Sequence, residues 1–289
     1  MEYCIVVSEK DPAGMNIWRR LLINYNFKKE NKNLYIFNNI KLLKVEKESV
    51  YCDHLDKEIV SDCFIFATKH QSKSQKKTLS VHIPGNWGES ADLGGRPKTL
   101  NVAPASLMKE MFVELNDCAK IMDDYEVSLE TTHHGPVLNK PVMFIEIGST
   151  IDEWQNQMAG DIIAKTIMNV LNNNIKRYDT CLGIGGTHYP KTFNKFLLRT
   201  EFAIANICPK YMLHSFNKEM LKKGIKNAVE KLKKILYLQK MIYSLIFNLN
   251  YFKTFTFNKT NHSFFMFSQT FPINSHFFNI FYCIFYSFF

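Results

Sequence analysis

Alternating strand and helix signals predict an α/β fold, a single domain with a mixed sheet flanked by helices. Two observations carry that expectation. Short runs rich in β-branched and aromatic residues alternate with longer segments whose apolar residues recur every three or four positions. No internal repeat divides the 289-residue chain. A chain of that length can bury a substantial core without a disulfide or a metal.

The elements follow in order. Tyr3–Ser8 reads as a buried strand, and residues 15–22 as a short helix after the turn Pro12-Ala13-Gly14. Leu34–Phe37 and residues 41–45, 63–67 and 79–83 are strands by content and by their polar breaks. Pro84-Gly85-Asn86-Trp87-Gly88 and Leu93-Gly94-Gly95-Arg96-Pro97 are loops, punctuated by Gly and Pro. Residues 105–121 form a helix, with Leu107, Met108, Met111, Phe112, Leu115 and Cys118 on one face. Residues 125–130 and 142–147 are strands. Thr150-Ile151-Asp152-Glu153 is a capping box that opens a helix running to about Leu171. Residues 181–184 and 202–207 are strands, and residues 217–235 a lysine-rich amphipathic helix.

The net charge of +9 favours a polyanionic partner such as nucleic acid. An A/T-biased codon usage would give the same dispersed lysines, and no RNA-recognition signature occurs. The seven cysteines contain no CxxC pair and read as reduced, mostly buried thiols of a cytoplasmic protein. Met1-Glu2-Tyr3 opens with an acid and runs directly into a strand, unlike a signal peptide.

Composition changes abruptly at residue 236. Residues 236–289 contain no Gly, Ala, Val, Asp, Glu or Arg, yet hold 14 of the 24 Phe. Lys253, Lys259, His262, Pro272 and His276 interrupt the apolar runs before any reaches the roughly 18 residues of a membrane span. A β-rich extension would lack turn chemistry. A frameshifted or misread 3′ end explains both the composition and its abruptness. The expected organisation is therefore a domain over 1–235 and an aberrant, non-functional tail over 236–289.

Four polar clusters sit at expected strand ends, where α/β folds place their sites. They are Ala67-Thr68-Lys69-His70, then Val81-His82 with Gly85-Asn86, then Glu130-Thr131-Thr132-His133-His134-Gly135-Pro136 followed by Glu146-Ile147-Gly148-Ser149, and finally Gly185-Gly186-Thr187-His188-Tyr189. Imidazole and carboxylate suit Zn²⁺. No HxxxH or HExxH pattern occurs, so a metal site must be assembled across loops. The blander reading is a set of hydrogen-bonded loop histidines. If Glu130 to His134 continues a strand, His133 and His134 face opposite ways; if Gly135-Pro136 has already broken it, both converge. Gly185-Gly186 could expose N–H groups to phosphate or form a simple tight turn. Absence of a GxSxG elbow, and of any Cys beside a His, removes support for a nucleophilic serine or cysteine.

In order and spacing these strings resemble the D-aminoacyl-tRNA deacylase family of archaea and plants, over roughly the first 235 residues. The resemblance implies a fold like that of nucleoside phosphorylases and peptidyl-tRNA hydrolases. It also implies a cytoplasmic, monomeric, zinc-dependent hydrolase that frees tRNA and a D-amino acid, with aminoacyl-tRNA as partner and no membrane. Metal ligands would come from His70, His82, His133, His134 and His188. Glu130 or Glu146 would act as general base or orient the imidazoles, and Lys69 or the Gly185-Gly186 amides would stabilise the oxyanion. Gly185, Gly186, Asn86 and Tyr189 would contact tRNA or substrate. The chain departs from the family pattern at Ala205-Asn206, where Gly-His is usual, and in its C-terminal segment. The competing readings are a tRNA-binding but inactive product of a damaged gene, and an enzyme cleaving a nucleoside or peptidyl-tRNA.

Overall fold

The computed structural model describes residues 1–238 and 244–248. Along the chain run β1 (Tyr3–Ser8), α1 (Pro12–Asn24), β2 (Lys28–Lys29), β3 (Leu34–Phe37), β4 (Ile40–Val45), α2 (Leu55–Glu58), β5 (Cys63–Gln71), β6 (Thr78–His82), β7 (Gly85–Asn86) and β8 (Thr99–Leu100). There follow α3 (Ala105–Cys118), β9 (Glu126–Leu129), β10 (Val142–Ser149), α4 (Ile151–Gln155), α5 (Gln157–Leu171) and β11 (Asp179–Gly185). The last elements are α6 (Lys191–Arg199), β12 (Phe202–Cys208), α7 (Lys218–Lys226), β13 (Leu232–Leu238) and β14 (Ser244–Asn248).

An eight-stranded mixed sheet has the order β2-β3-β4-β1-β5-β10-β6-β9. Its centre, β4-β1-β5-β10, is parallel, and β6 joins β10 antiparallel. A second sheet of order β12-β11-β13-β14 is built from the C-terminal part. Strand alternation feeds two cores from one sheet. Tyr3, Ile5 and Val7 of β1 pack with Ile17 and Leu21 of α1, Met111 and Phe112 of α3 and Ile163 and Ile167 of α5. Cys4 and Val6 face the other way, onto Phe64, Phe66, Leu138 and Phe144. Each fully buried Leu, Ile or Phe adds about 2 kcal/mol of transfer free energy. The first core continues through Leu182, Ala203 and Ile207, so both sheets share one apolar interior.

Asp11 caps α1, accepting from the Gly14 amide at 2.9 Å, with Pro12 next in the chain. The Thr150 cap is present: Glu153 accepts from both the Thr150 amide and hydroxyl. The single helix expected over 150–171 is nevertheless two. Asn156 leaves helical geometry (φ −63°, ψ 114°) and its side chain accepts from the Ala159 amide, starting α5 afresh. The helix expected over 217–235 is also corrected. It ends at Lys226, and Leu232–Leu238 is a strand parallel to β11. Asn227 anchors the change of direction, donating to Leu100 O and accepting from the Ala103 amide. The spacing Leu232-Lys233-Lys234-Ile235 follows the helical period, and the segment pairs with β11 through a register shift between Thr180 and Cys181 that places Lys233 as the extra residue. Helix α6 was not evident in the sequence.

Strand β13 crosses residue 236, whereas residues 239–243 and 249–289, most of the expected tail, lie outside the described residues. No disulfide joins the six cysteines among the described residues, and five of them are buried. Among those residues no helix is long and apolar enough to cross a membrane.

Candidate active site

The site continues the second apolar core. On β5, Phe64 and Phe66 are followed on the same face by Thr68 and His70; on β10, Val142 and Phe144 are followed by Glu146. The register sets Glu146 beside Thr68 on one side and Ser80 on the other, and Phe144 beside His82. Strand β9 adds Glu130 just beyond its end, where the Glu130 amide donates to Val81 O. Polar side chains thus replace phenylalanines as each strand leaves the core.

Two groups of side chains meet there. In the first, His70 Nδ1 lies 3.2 Å from both Glu130 Oε1 and Glu146 Oε2. Thr68 donates to Glu146 Oε1 at 2.7 Å and Ser80 to Glu130 Oε1 at 2.5 Å. Tyr189 Oη stands 2.6 Å from His70 Nε2. His188 Nε2 is 2.9 Å from Glu130 Oε2 but outside hydrogen-bond geometry, leaving that oxygen buried without a hydrogen bond. Burial alone would lower the His70 pKa, but its two carboxylate partners outweigh it and raise the value to about 10. The two carboxyls diverge. Burial would raise Glu130, yet His188 and His70 hold it well below the usual range. Burial raises Glu146 against the hydrogen bond from His70, and the charge of Glu130 pushes it further up.

In the second group, His82 Nε2 is 3.2 Å from His134 Nε2, and the His133 ring centre is 4.6 Å from that of His82. His133 Nδ1 lies 2.8 Å from Thr131 O, and His134 Nδ1 lies 2.6 Å from Gly135 O. A carbonyl only accepts, so both Nδ1 atoms carry hydrogen and both Nε2 atoms keep a lone pair, that of His134 facing His82 Nε2. Burial holds His82 and His133 well below the usual histidine range and takes His134 to about 4. All three imidazoles are neutral at neutral pH. The strand ends at Leu129, so the converging arrangement of His133 and His134 is the observed one, with His134 turned into it by a φ of +48°.

A cleft of about 720 Å³ opens over this floor, with His70, His133, His134, Glu146 and Lys69 among its walls. The Lys69 ammonium lies 5.7 Å over the Trp154 ring and 4.0 Å from Glu48. Of the residues expected at the site, His82, Glu130, His188 and Tyr189 stand behind this lining or beside it, and Asn86, Gly185 and Gly186 do not line it either. Asn86 donates to Gly94 O and Arg96 O, and Gly185 and Gly186 take positive φ of 102° and 81° to turn the chain toward His188. Asn206 is fully buried and donates to Asn101 O and Asn227 O, a cross-link between segments. Sequence reasoning missed Ser80 as a partner of Glu130 and Trp154, whose indole donates to His70 O. The signal for Ser80 was its two-residue spacing from His82.

Among the described residues His82, His133 and His134 form one possible metal-holding group, His70, Glu130 and His188 a second, and His82, Glu130 and Glu146 a third. A family model described as D-aminoacyl-tRNA deacylase matches residues 57–246. The D-aminoacyl-tRNA deacylase of Thermococcus onnurineus (strain NA1) is 37% identical over 240 residues, covering 78% of this chain and 87% of the relative. That of Pyrococcus furiosus is 36% identical over 246 residues, covering 80% and 88%. A solved crystal structure, of a conserved protein of unknown function, aligns with TM-score 0.79 at 29% identity over 84% of this chain and 88% of that one.

Proposed function

The chain belongs to the D-aminoacyl-tRNA deacylase family, and from that premise we propose that its cleft hydrolyses the ester joining a D-amino acid to the 3′ end of tRNA. One observation carries the assignment to this cleft: Thr131 O and Gly135 O fix His133 and His134, both of which line it, so that their Nε2 atoms meet beside the buried His82.

The donor set fits zinc. Three neutral imidazoles converge, two donate their second nitrogen to backbone carbonyls, and His82 Nδ1 is buried without a hydrogen bond. His70, protonated between two carboxylates, suits an ion pair better than a ligand role. A zinc ion held by His82, His133 and His134 would supply Lewis acidity for attack on the ester.

The remaining chemistry belongs to side chains. Glu130 is ionised, and its Oε2 stands 3.7 Å from His133 Nε2, placed to take a proton from the attacking water while Ser80 holds Oε1. His70, protonated on both nitrogens, donates to Glu146 and to Tyr189 Oη. That leaves the Tyr189 hydroxyl hydrogen directed elsewhere, available to the departing ribose oxygen and replenished through His70. Lys69 on the cleft wall supplies positive charge for the oxyanion. Gly185, Gly186 and Asn86 shape the loops around the site. A cytoplasmic location, a monomeric state, kinship with phosphorylases and peptidyl-tRNA hydrolases, and a segment after Asn248 that the reaction does not need belong to the same proposal. The six cysteines among the described residues, none of them bridged, support the first of these.

The test is deacylation of matched D- and L-tyrosyl-tRNA by purified protein, with and without a zinc chelator. Release of D-tyrosine alone, lost with chelator and restored by zinc, is the expected result. Hydrolysis of both esters, or chelator-resistant activity, would refute the specificity or the metal respectively.

A further inference from the structure

A second groove, of about 440 Å³, adjoins the first and is lined by Asn16, Arg19, Arg20, Gln155 and Gln157 among others. The two meet at the start of α1 and at α4. Asp11 and Trp154 line the first, and their chain neighbours Pro12 and Gln155 line the second. We propose that this second groove binds phosphates of the single-stranded 3′ end of the RNA whose ester lies in the first. The proposal rests on the deacylase reading and adds where the substrate's backbone runs.

The groove's cations are available. Arg19 is exposed and makes no ion pair or hydrogen bond among the described residues. Arg20 is half-buried; its Nε has no hydrogen-bond partner, and its Nη1 reaches only Asp161, at 3.8 Å. Among the described residues no carboxylate lines the groove. A guanidinium presents a planar fork that matches phosphate oxygens, and Gln155 and Gln157 add neutral amide donors.

The wall is also rigid. Asn16 Nδ2 donates to Trp154 O at 3.0 Å and to Asn156 O at 2.7 Å, pinning the break between α4 and α5 onto α1. A Cβ at Gly160 would stand 2.6 Å from Asn16 Oδ1, so only glycine lets α5 come this close. Arg19 lies seven residues along α1 from Pro12, about 10 Å at the helical rise. That spans about three stacked nucleotides at roughly 3.4 Å each, the reach of a short single-stranded end.

Lys73 and Lys76, exposed on the loop after β5, form the rival route to the same cleft, whereas Lys77 is tied to Asp124 at 2.7 Å. The experiment compares Arg19→Glu, Arg19→Ala and Lys73→Glu/Lys76→Glu on D-tyrosyl-tRNA and on D-tyrosyl-adenosine, an ester without phosphates. The expected result for Arg19→Glu is a roughly tenfold loss of kcat/KM on the tRNA, a smaller loss for Arg19→Ala, and less than about twofold on the nucleoside ester. The slope of log KM against log salt should also shrink by about 0.7 for each lost contact. Equal losses on both substrates, no loss on either, or a selective loss confined to the lysine variant would each overturn the groove. If the wild type cleaves neither ester, the deacylase reading fails instead. Salt-dependent tRNA binding by the same variants then decides the groove alone, with an unchanged slope for Arg19→Glu counting against it.

Discussion

His133 and His134 are adjacent in sequence yet do parallel work, because each gives its Nδ1 hydrogen to a nearby backbone carbonyl. The sequence offered two outcomes for the pair, and what separates them is a single backbone angle, the positive φ of His134, which no side-chain pattern encodes. Replacing either with alanine removes one of three neutral donors. His133→Ala and His134→Ala should each lose bound zinc and D-tyrosyl-tRNA hydrolysis together, by about 100-fold or more; zinc per mole and initial rates measured on the same preparations check it. His70 answers to a different control. Its folded-state pKa is raised from 6.5 to about 10 by the flanking carboxylates. The stability it contributes is therefore complete below about pH 6.5 and lost as pH climbs through about 10. Denaturant unfolding followed from neutral to alkaline pH should show a decline on the order of 2–4 kcal/mol that is largely absent in His70→Gln.

At the scale of elements, strands were easier to read than helix ends. Strands β1, β3 and β10 declare themselves through continuous β-branched and aromatic content, and the polar strings at their ends pointed to most of the site. The break at Asn156 and the strand after Lys226 were hidden, since both depend on partners far away in sequence: Asn16 for the first and β11 for the second. The pairing of His70 with both Glu130 and Glu146 was equally invisible, because it arises from the order β5-β10-β6-β9 and not from spacing along the chain. The break matters to the site, as it sets Trp154 where its indole meets His70 O. Asn156→Ala removes the cap of α5 and should cost about 1 kcal/mol of unfolding free energy. Because the indole position depends on that break, the same variant should shift Trp154 fluorescence in the native state; an unaltered spectrum would detach the helix break from the site.

For the molecule as a whole, every side chain assigned to the site lies between Thr68 and Tyr189, while β13 and β14 close the second sheet well beyond them. A chain ending after Asn248 should keep wild-type zinc content and deacylation rate. One ending after Ile235 cuts β13 short of Leu238, and its melting temperature should fall by several degrees; both are read by calorimetry and the deacylation assay. The distribution of sulfur carries a consequence of another sort, for durability in oxidising surroundings. Oxidants and alkylating agents attack the thiolate, and burial pushes the Cys4 thiol up to about 12 and that of Cys52 to about 11. Cys118 has the most access among the described cysteines, and there burial and the neighbouring Glu114 raise the thiol as well. Native protein treated with iodoacetamide should thus show only slow labelling at Cys118 and almost none at the buried five, as peptide mass spectrometry would reveal. Among the described residues the thiols are thus arranged to resist peroxide, and an engineered surface cysteine would outpace all six of them in attaching a dye or spin label.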